Sequence, residues 1–184
     1  MARRALAAYL RHGYDAAAGR YYGRLDPDGS PNLEPRETPY MPGDHSSVWE
    51  FLFPTHDYPM PMAMAALQCA AGGPDAPLFA GAARNWAAAA RAEVESWPEG
   101  QVRYAEHYGR LIVYFAEYAR LAGEPAYRDL AAALAGQAVQ RLDAGSLLLG
   151  RTNADWYDAI DGVGFLALAL LHLEAPDPGA LDLF

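Results

Sequence analysis

Residues 104–122 read YAEHYGRLIVYFAEYARLA. Tyr104, Tyr108, Leu111, Phe115, Tyr118 and Ala122 recur at the spacing of one α-helical stripe. Ile112, Val113 and Tyr114 make the other faces apolar too. A helix without a wet face must be covered on several sides. This segment therefore predicts the inner helix of a larger helical assembly.

Working outward, two more segments share that character: 59–71 (PMPMAMAALQCAA) and 159–173. Pro59 and Pro61 fit only the first turn of such a helix. Three other segments keep one wet face. Residues 2–12 carry Leu6, Tyr9 and Leu10 on one side. Residues 76–96 carry Phe79, Ala83, Trp86, Ala90 and Val94, and residues 125–142 carry Tyr127, Leu130, Leu134, Ala138 and Leu142. The two kinds alternate along the chain, which predicts buried helices inside and amphipathic ones outside. Similar clusters precede the inner helices: Thr55-His56-Asp57-Tyr58, Ala105-Glu106-His107-Tyr108 and Ala154-Asp155-Trp156-Tyr157. Their tyrosines lie about 50 residues apart each time, the period of a stacked supersecondary unit. The unit is an αα-hairpin, repeated three times, and Pro176-Asp177-Pro178 reads as the lead-in to a further outer helix. The expectation is an all-α fold over residues 1–184, a single incomplete domain.

Residues 14–50 interrupt the pattern. A stretch of that length without a helix is uncommon unless it is functional or disordered. Arg20 to Leu25 reads as a strand, Asp26-Pro27-Asp28-Gly29 as a turn and Ser30 to Asn32 as the return. Trp49, Phe51, Leu52 and Phe53 predict that the end of the loop packs back on the body. The reading is a small β-hairpin or ordered loop, near residues 20–50, beside a cavity mouth.

Composition narrows the function. Of 184 residues, 52% are hydrophobic and 20% charged, which suits a packed core. All 14 basic residues are arginine, against 23 acids, for a net charge of −9. No basic run exceeds Arg3-Arg4, so a nucleic-acid partner is not expected. Cys69 stands alone and rules out an internal disulfide. His12, His45, His56, His107 and His172 show no HxH or HExxH spacing, so no metal or other cofactor is expected. Residues 1–13 lack a signal-peptide apolar core, and the longest apolar run, Val163 to Leu171, is short of the ~20 residues that span a bilayer. No membrane partner is expected, and a cytoplasmic location follows if the start is genuine.

Three stretches carry a resemblance. They are His12-Gly13-Tyr14-Asp15 through Gly19-Arg20-Tyr21-Tyr22 to Leu25-Asp26-Pro27-Asp28-Gly29, then Tyr104 through Glu124, then Tyr157-Asp158-Ala159-Ile160-Asp161-Gly162-Val163-Gly164. Together they resemble the six-hairpin (α/α)6 toroid superfamily of glycoside hydrolases, polysaccharide lyases and sugar epimerases. The first resembles the hairpin of the epimerase-like group, the second an inner helix turning into the next outer one, the third the start of a closing inner helix. The resemblance implies twelve helices where this chain supplies about six. It thus resembles the second half of a toroid with a missing N-terminal half, a truncated relative, or a chain completed by self-association. It also implies an oligosaccharide or sugar as partner.

Hairpin geometry makes the inner helices parallel, since an antiparallel outer helix separates each pair. Their N-termini should gather at one rim, where unsatisfied N–H groups favour hydroxyl-rich or anionic ligands. The carboxylates placed there are Asp57, Glu106, Asp155, Asp158 and Asp161. Glycoside cleavage needs two such groups, one proton donor and one base or nucleophile; acids at helix starts also serve as caps. His45, His56 and His107 offer neutral imidazoles for proton abstraction, with Tyr108 or Arg110 to steady an oxyanion. Trp49, Tyr58, Tyr108, Trp156 and Tyr157 offer rings to stack on a sugar. The catalytic set expected is Glu106, His107, Asp57, Asp158 and Arg110. The binding set is His45, His56, Tyr58, Tyr108, Asp155, Trp156 and Tyr157. A non-catalytic α-hairpin scaffold for a protein or glycan is the alternative. A terpene or lanthionine cyclase is disfavoured, because no DxDD motif and no zinc-binding Cys/His set occurs.

Overall fold

The structure, a computed structural model, describes residues 1–17, 20–22, 25–32, 59–158 and 161–175. Six helices stand in order: α1 (Ala2–His12), α2 (Pro59–Cys69), α3 (Ala76–Glu95), α4 (Ala105–Ala122), α5 (Pro125–Leu142) and α6 (Val163–Glu174). The all-α expectation is met. The chain divides into two compact units, Met1–Trp86 and Ala87–Phe184, with the division inside α3.

In the first unit, two short strands, β1 (Tyr14–Asp15) and β2 (Arg20–Tyr21), pair antiparallel after α1. This differs from the expected hairpin. Residues 20–21 pair backward with 14–15, and the turn at 26–29 closes only the single bridge Leu25↔Pro31. The aromatic rings explain the choice. Tyr21 is buried and stacks on Trp86 at 4.8 Å, with Tyr14 a further 4.8 Å contact. Pairing with 14–15 therefore places a half-buried tyrosine on the buried ring of Tyr21, which in turn stacks on the indole. Arg3 lies over Phe79, 4.8 Å from the ring centroid, and Arg11 bonds Asp75. On α2, Ala63, Met64, Ala66 and Leu67 are buried.

The second unit is built around α4. Leu111, Ile112, Val113, Tyr114 and Phe115 are all at most 1% exposed, so every face of this helix is covered, as its composition demands. One cover is α5, which runs antiparallel. Tyr127 near its start packs on Phe115 and Tyr118, while Gln137 further along accepts a hydrogen bond from the Tyr108 hydroxyl at 2.9 Å. Gly123 ends α4 in the left-handed conformation, φ 71°, and Pro125 opens α5. These residues make the tight turn of an αα-hairpin.

The second cover is α6, which runs parallel to α4. Gly162 lies against Glu106, Gly109 against Phe165 and Leu166, and Glu117 against His172. The pairs advance in the same direction on both helices. Gly109 permits the contact, since a Cβ there would meet the Phe165 carbonyl carbon at 2.5 Å and the Leu166 nitrogen at 2.6 Å. Helix α6 begins at Val163, after Gly162, which takes a left-handed φ of 83°; the expected start at 159 lies outside the described residues. Only one stripe of α6, Val163, Leu166, Ala169 and His172, is buried, and Leu171 is 61% exposed. The expectation of cover all round thus holds for α4 and not for α6.

Candidate functional site at the shared start of α4 and α6

The parallel packing brings the starts of α4, at Ala105, and α6, at Val163, together from distant parts of the chain. Residues 150–152 complete the site. They run antiparallel beside the start of α4 through the bridge Tyr104↔Arg151, with the Ala105 amide donating to the Gly150 carbonyl at 2.7 Å and the Thr152 amide to the Arg103 carbonyl at 2.9 Å. A Cβ on Gly150 would meet the Asp161 Cβ at 2.5 Å and the Asp158 carbonyl at 2.8 Å. Glycine at 150 is what lets the segment from Asp158 to Asp161 lie close against the strand-like residues 150–152 beside the start of α4.

Five charged side chains meet there. The Arg110 Nε and Nη2 donate to Glu106 Oε1 at 2.9 and 2.7 Å, with both side chains largely shielded from solvent. The guanidinium of Arg110 lies over Phe165, 4.5 Å from its centroid. Arg151 Nε stands 3.8 Å from Asp161 Oδ2, and its guanidinium lies over Trp156 at 5.2 Å. Burial pushes the Asp161 carboxyl above its usual range. The charge of Asp158 adds to the rise, Arg151 opposes it, and Glu106 adds a little more. One carboxyl is thus held toward its protonated form beside another clamped by arginine.

Neither helix is capped by a side chain: the N-cap residues are Tyr104 and Gly162, with no side-chain cap bond at either. Trp156 and Tyr157 are half-exposed at 50% and 49%, and Asp155 is exposed beside them. His107 is 6% exposed, with its ring edge-on to Tyr104. Its pKa is pushed down to about 4, chiefly by burial and then by the charges of Arg103 and Arg110. Its Nε2 is buried with no hydrogen-bond partner. The imidazole is therefore neutral near pH 7 and a weak base, suited to hydrogen bonding more than to proton abstraction.

Among the expected residues, the structure brings together Glu106, Arg110 and Asp158, with His107 beneath them and Asp155, Trp156 and Tyr157 at the edge. Tyr108 is not at this rim. It is fully buried, edge-on to Trp97 and bonded to Gln137, because its place on the helical stripe turns it toward α5. Asp57, His45, His56, Tyr58 and Trp49 lie outside the described residues. Sequence reasoning missed Arg151, whose position follows from a single isolated bridge with no strand pattern to announce it. It weighed Asp161 without placing it in the expected set, since Asp-Gly also signals a turn. Among the described residues, no group of three or more His, Cys, Asp or Glu is placed to hold a metal ion. Among the same residues, no helix is long and apolar enough to cross a membrane. Comparisons with protein-family models, with curated proteins and with solved structures found no match.

Proposed function

We propose that this rim binds a sugar or oligosaccharide, and that the chain is a carbohydrate-active domain of the glycoside hydrolase, polysaccharide lyase or sugar epimerase type. The observation that carries the reading is the meeting of Glu106, Asp158 and Asp161 with Arg110 and Arg151 beside two half-exposed rings. Asp161, with its raised pKa, is the proton donor. Glu106, fixed by Arg110, is the carboxylate that acts as base or nucleophile. Trp156 and Tyr157 supply the stacking surface, and Asp155 a hydroxyl partner. An (α/α) toroid completed by self-association or by a further half-domain is part of the same proposal. Sedimentation equilibrium showing a dimer or larger species supports the first route, and a monomer removes it.

The test is turnover on a panel of oligosaccharides, including unsaturated and uronic-acid types. Asp161→Asn and Glu106→Gln are each expected to lower kcat by at least ~100-fold, the usual range for removing a general acid or base. Unchanged turnover in both removes these residues from the site.

A second reading rests on one observation: Glu106 Oε1 already accepts both nitrogens of Arg110, as in a structural ion pair. In that case the surface is a non-catalytic scaffold for a glycan or protein. Trp156→Ala would then abolish binding while Glu106→Gln left it intact, and no substrate in the panel would turn over.

A further inference from the structure

The second unit holds a separate cleft where α4 and α6 end and α5 begins. Its volume is about 330 Å³, and its walls include Ala116, Ala119, Pro125 and Leu173. Four charged or titratable side chains line it: Glu117, Arg120, Arg128 and His172. Glu117 and His172 are buried in its floor, with His172 Nε2 and Glu117 Oε1 2.8 Å apart. The other carboxylate oxygen, Oε2, accepts from Arg120 Nε and Nη2 at 2.9 and 2.6 Å. Glu117 is therefore satisfied on both oxygens, and its charge is matched by Arg120.

Arg128 is different. It is exposed on the cleft wall and makes no hydrogen bond or ion pair with the described residues. It stands in the first turns of α5, at the positive end of the helix, where a cation is unfavourable. Once Arg120 and Glu117 cancel, Arg128 leaves the cleft one positive charge with no counter-charge among the described residues.

We propose that this cleft binds a small organic carboxylate, a monoanion with a short apolar body. The carboxylate pairs with Arg128 and with the donors of Arg120 that Glu117 leaves over. The body lies on Ala116, Ala119, Pro125 and Leu173. Among the described residues one cation of the cleft is left without a counter-charge, which matches one negative charge, and the volume is that of a small ligand pocket. The site shares no residue with the rim at the other end of α4, so it stands or falls independently of the sugar reading.

The experiment titrates the full chain with hexanoate, 1-hexanol and hexylamine, by calorimetry and by the amide shift of Gly123 in NMR. Hexanoate is expected to bind saturably and to move Gly123. Hexanol should bind at least ~10-fold more weakly and hexylamine not at all, as one lost charge-assisted hydrogen bond implies. Arg128→Gln, at an exposed position without a partner among the described residues, should bring hexanoate down to the level of hexanol with the thermal melt unchanged. Ala116→Leu, which fills the cleft, should weaken hexanoate and hexanol alike. The proposal is overturned by absence of saturable binding, by equal affinity for hexanoate and hexanol, by full affinity in Arg128→Gln, or by full affinity in Ala116→Leu.

Discussion

His107 carries its imidazole into the interior of the second unit, and the cost of charging it there sets a pH dependence of stability. An unfolded histidine titrates near ~6.5, whereas His107 in the fold titrates at about 4. Between these values the unfolded chain binds the extra proton and the folded chain does not. The contribution is fully present above ~6.5 and is lost as the pH falls toward 4, by about 3 kcal/mol in all. Urea midpoints measured from pH 7 to 4 should decline through this window, and His107→Phe should flatten the decline. An unchanged slope in that variant would place the acid sensitivity elsewhere. Glu106 and Arg110 were legible as rim residues because helical spacing and a parallel partner suffice to place them. The depressed basicity of His107 was not legible, since it depends on Arg103 approaching from outside the helix and on the loop that closes over it.

At the scale of elements, the contact of α4 with α6 turns on Gly109. Adding one methyl there would drive it into the backbone of Phe165 and Leu166, which cannot swing aside as a side chain can. Gly109→Ala should therefore cost about 1–3 kcal/mol as overpacking. For a chain of this length each kcal/mol lowers Tm by roughly 2–4 °C, so a scanning-calorimetry shift of several degrees is expected. An unaltered Tm would mean that the helices part without penalty. The buried character of α4 and its pairing with α5 were readable from Tyr104, Tyr108, Leu111, Phe115 and Tyr118 on one side and Ile112 to Tyr114 on the other. The left-handed Gly162 before α6 was not readable, since Asp161-Gly162 fits a turn and the start of a helix alike.

For the whole molecule, charge is the dominant solution property. With a net charge of −9 at neutral pH and an isoelectric point near 4.9, self-repulsion weakens as the medium becomes acidic. Turbidity against pH should peak close to 4.9, and a pH-independent signal would mean that charge does not control association. Helical class was legible at this scale because alternating wet and dry helices admit few other arrangements. The β-hairpin was read at the right turn, where Leu25 bridges Pro31, but the pairing of 20–21 with 14–15 was missed, since the contact of Tyr21 with Trp86 joins residues far apart in sequence.

The three points of contact between α4 and α6 have a mechanical consequence. Glu106 meets Gly162, Gly109 meets Phe165 and Glu117 meets His172, so the two rods are geared along their length like a rack and its mate. Neither can slide or roll against the other without unmeshing all three teeth. Any ligand that displaced α6 at the carboxylate end would carry that displacement intact to His172, in the floor of the cleft where both rods terminate.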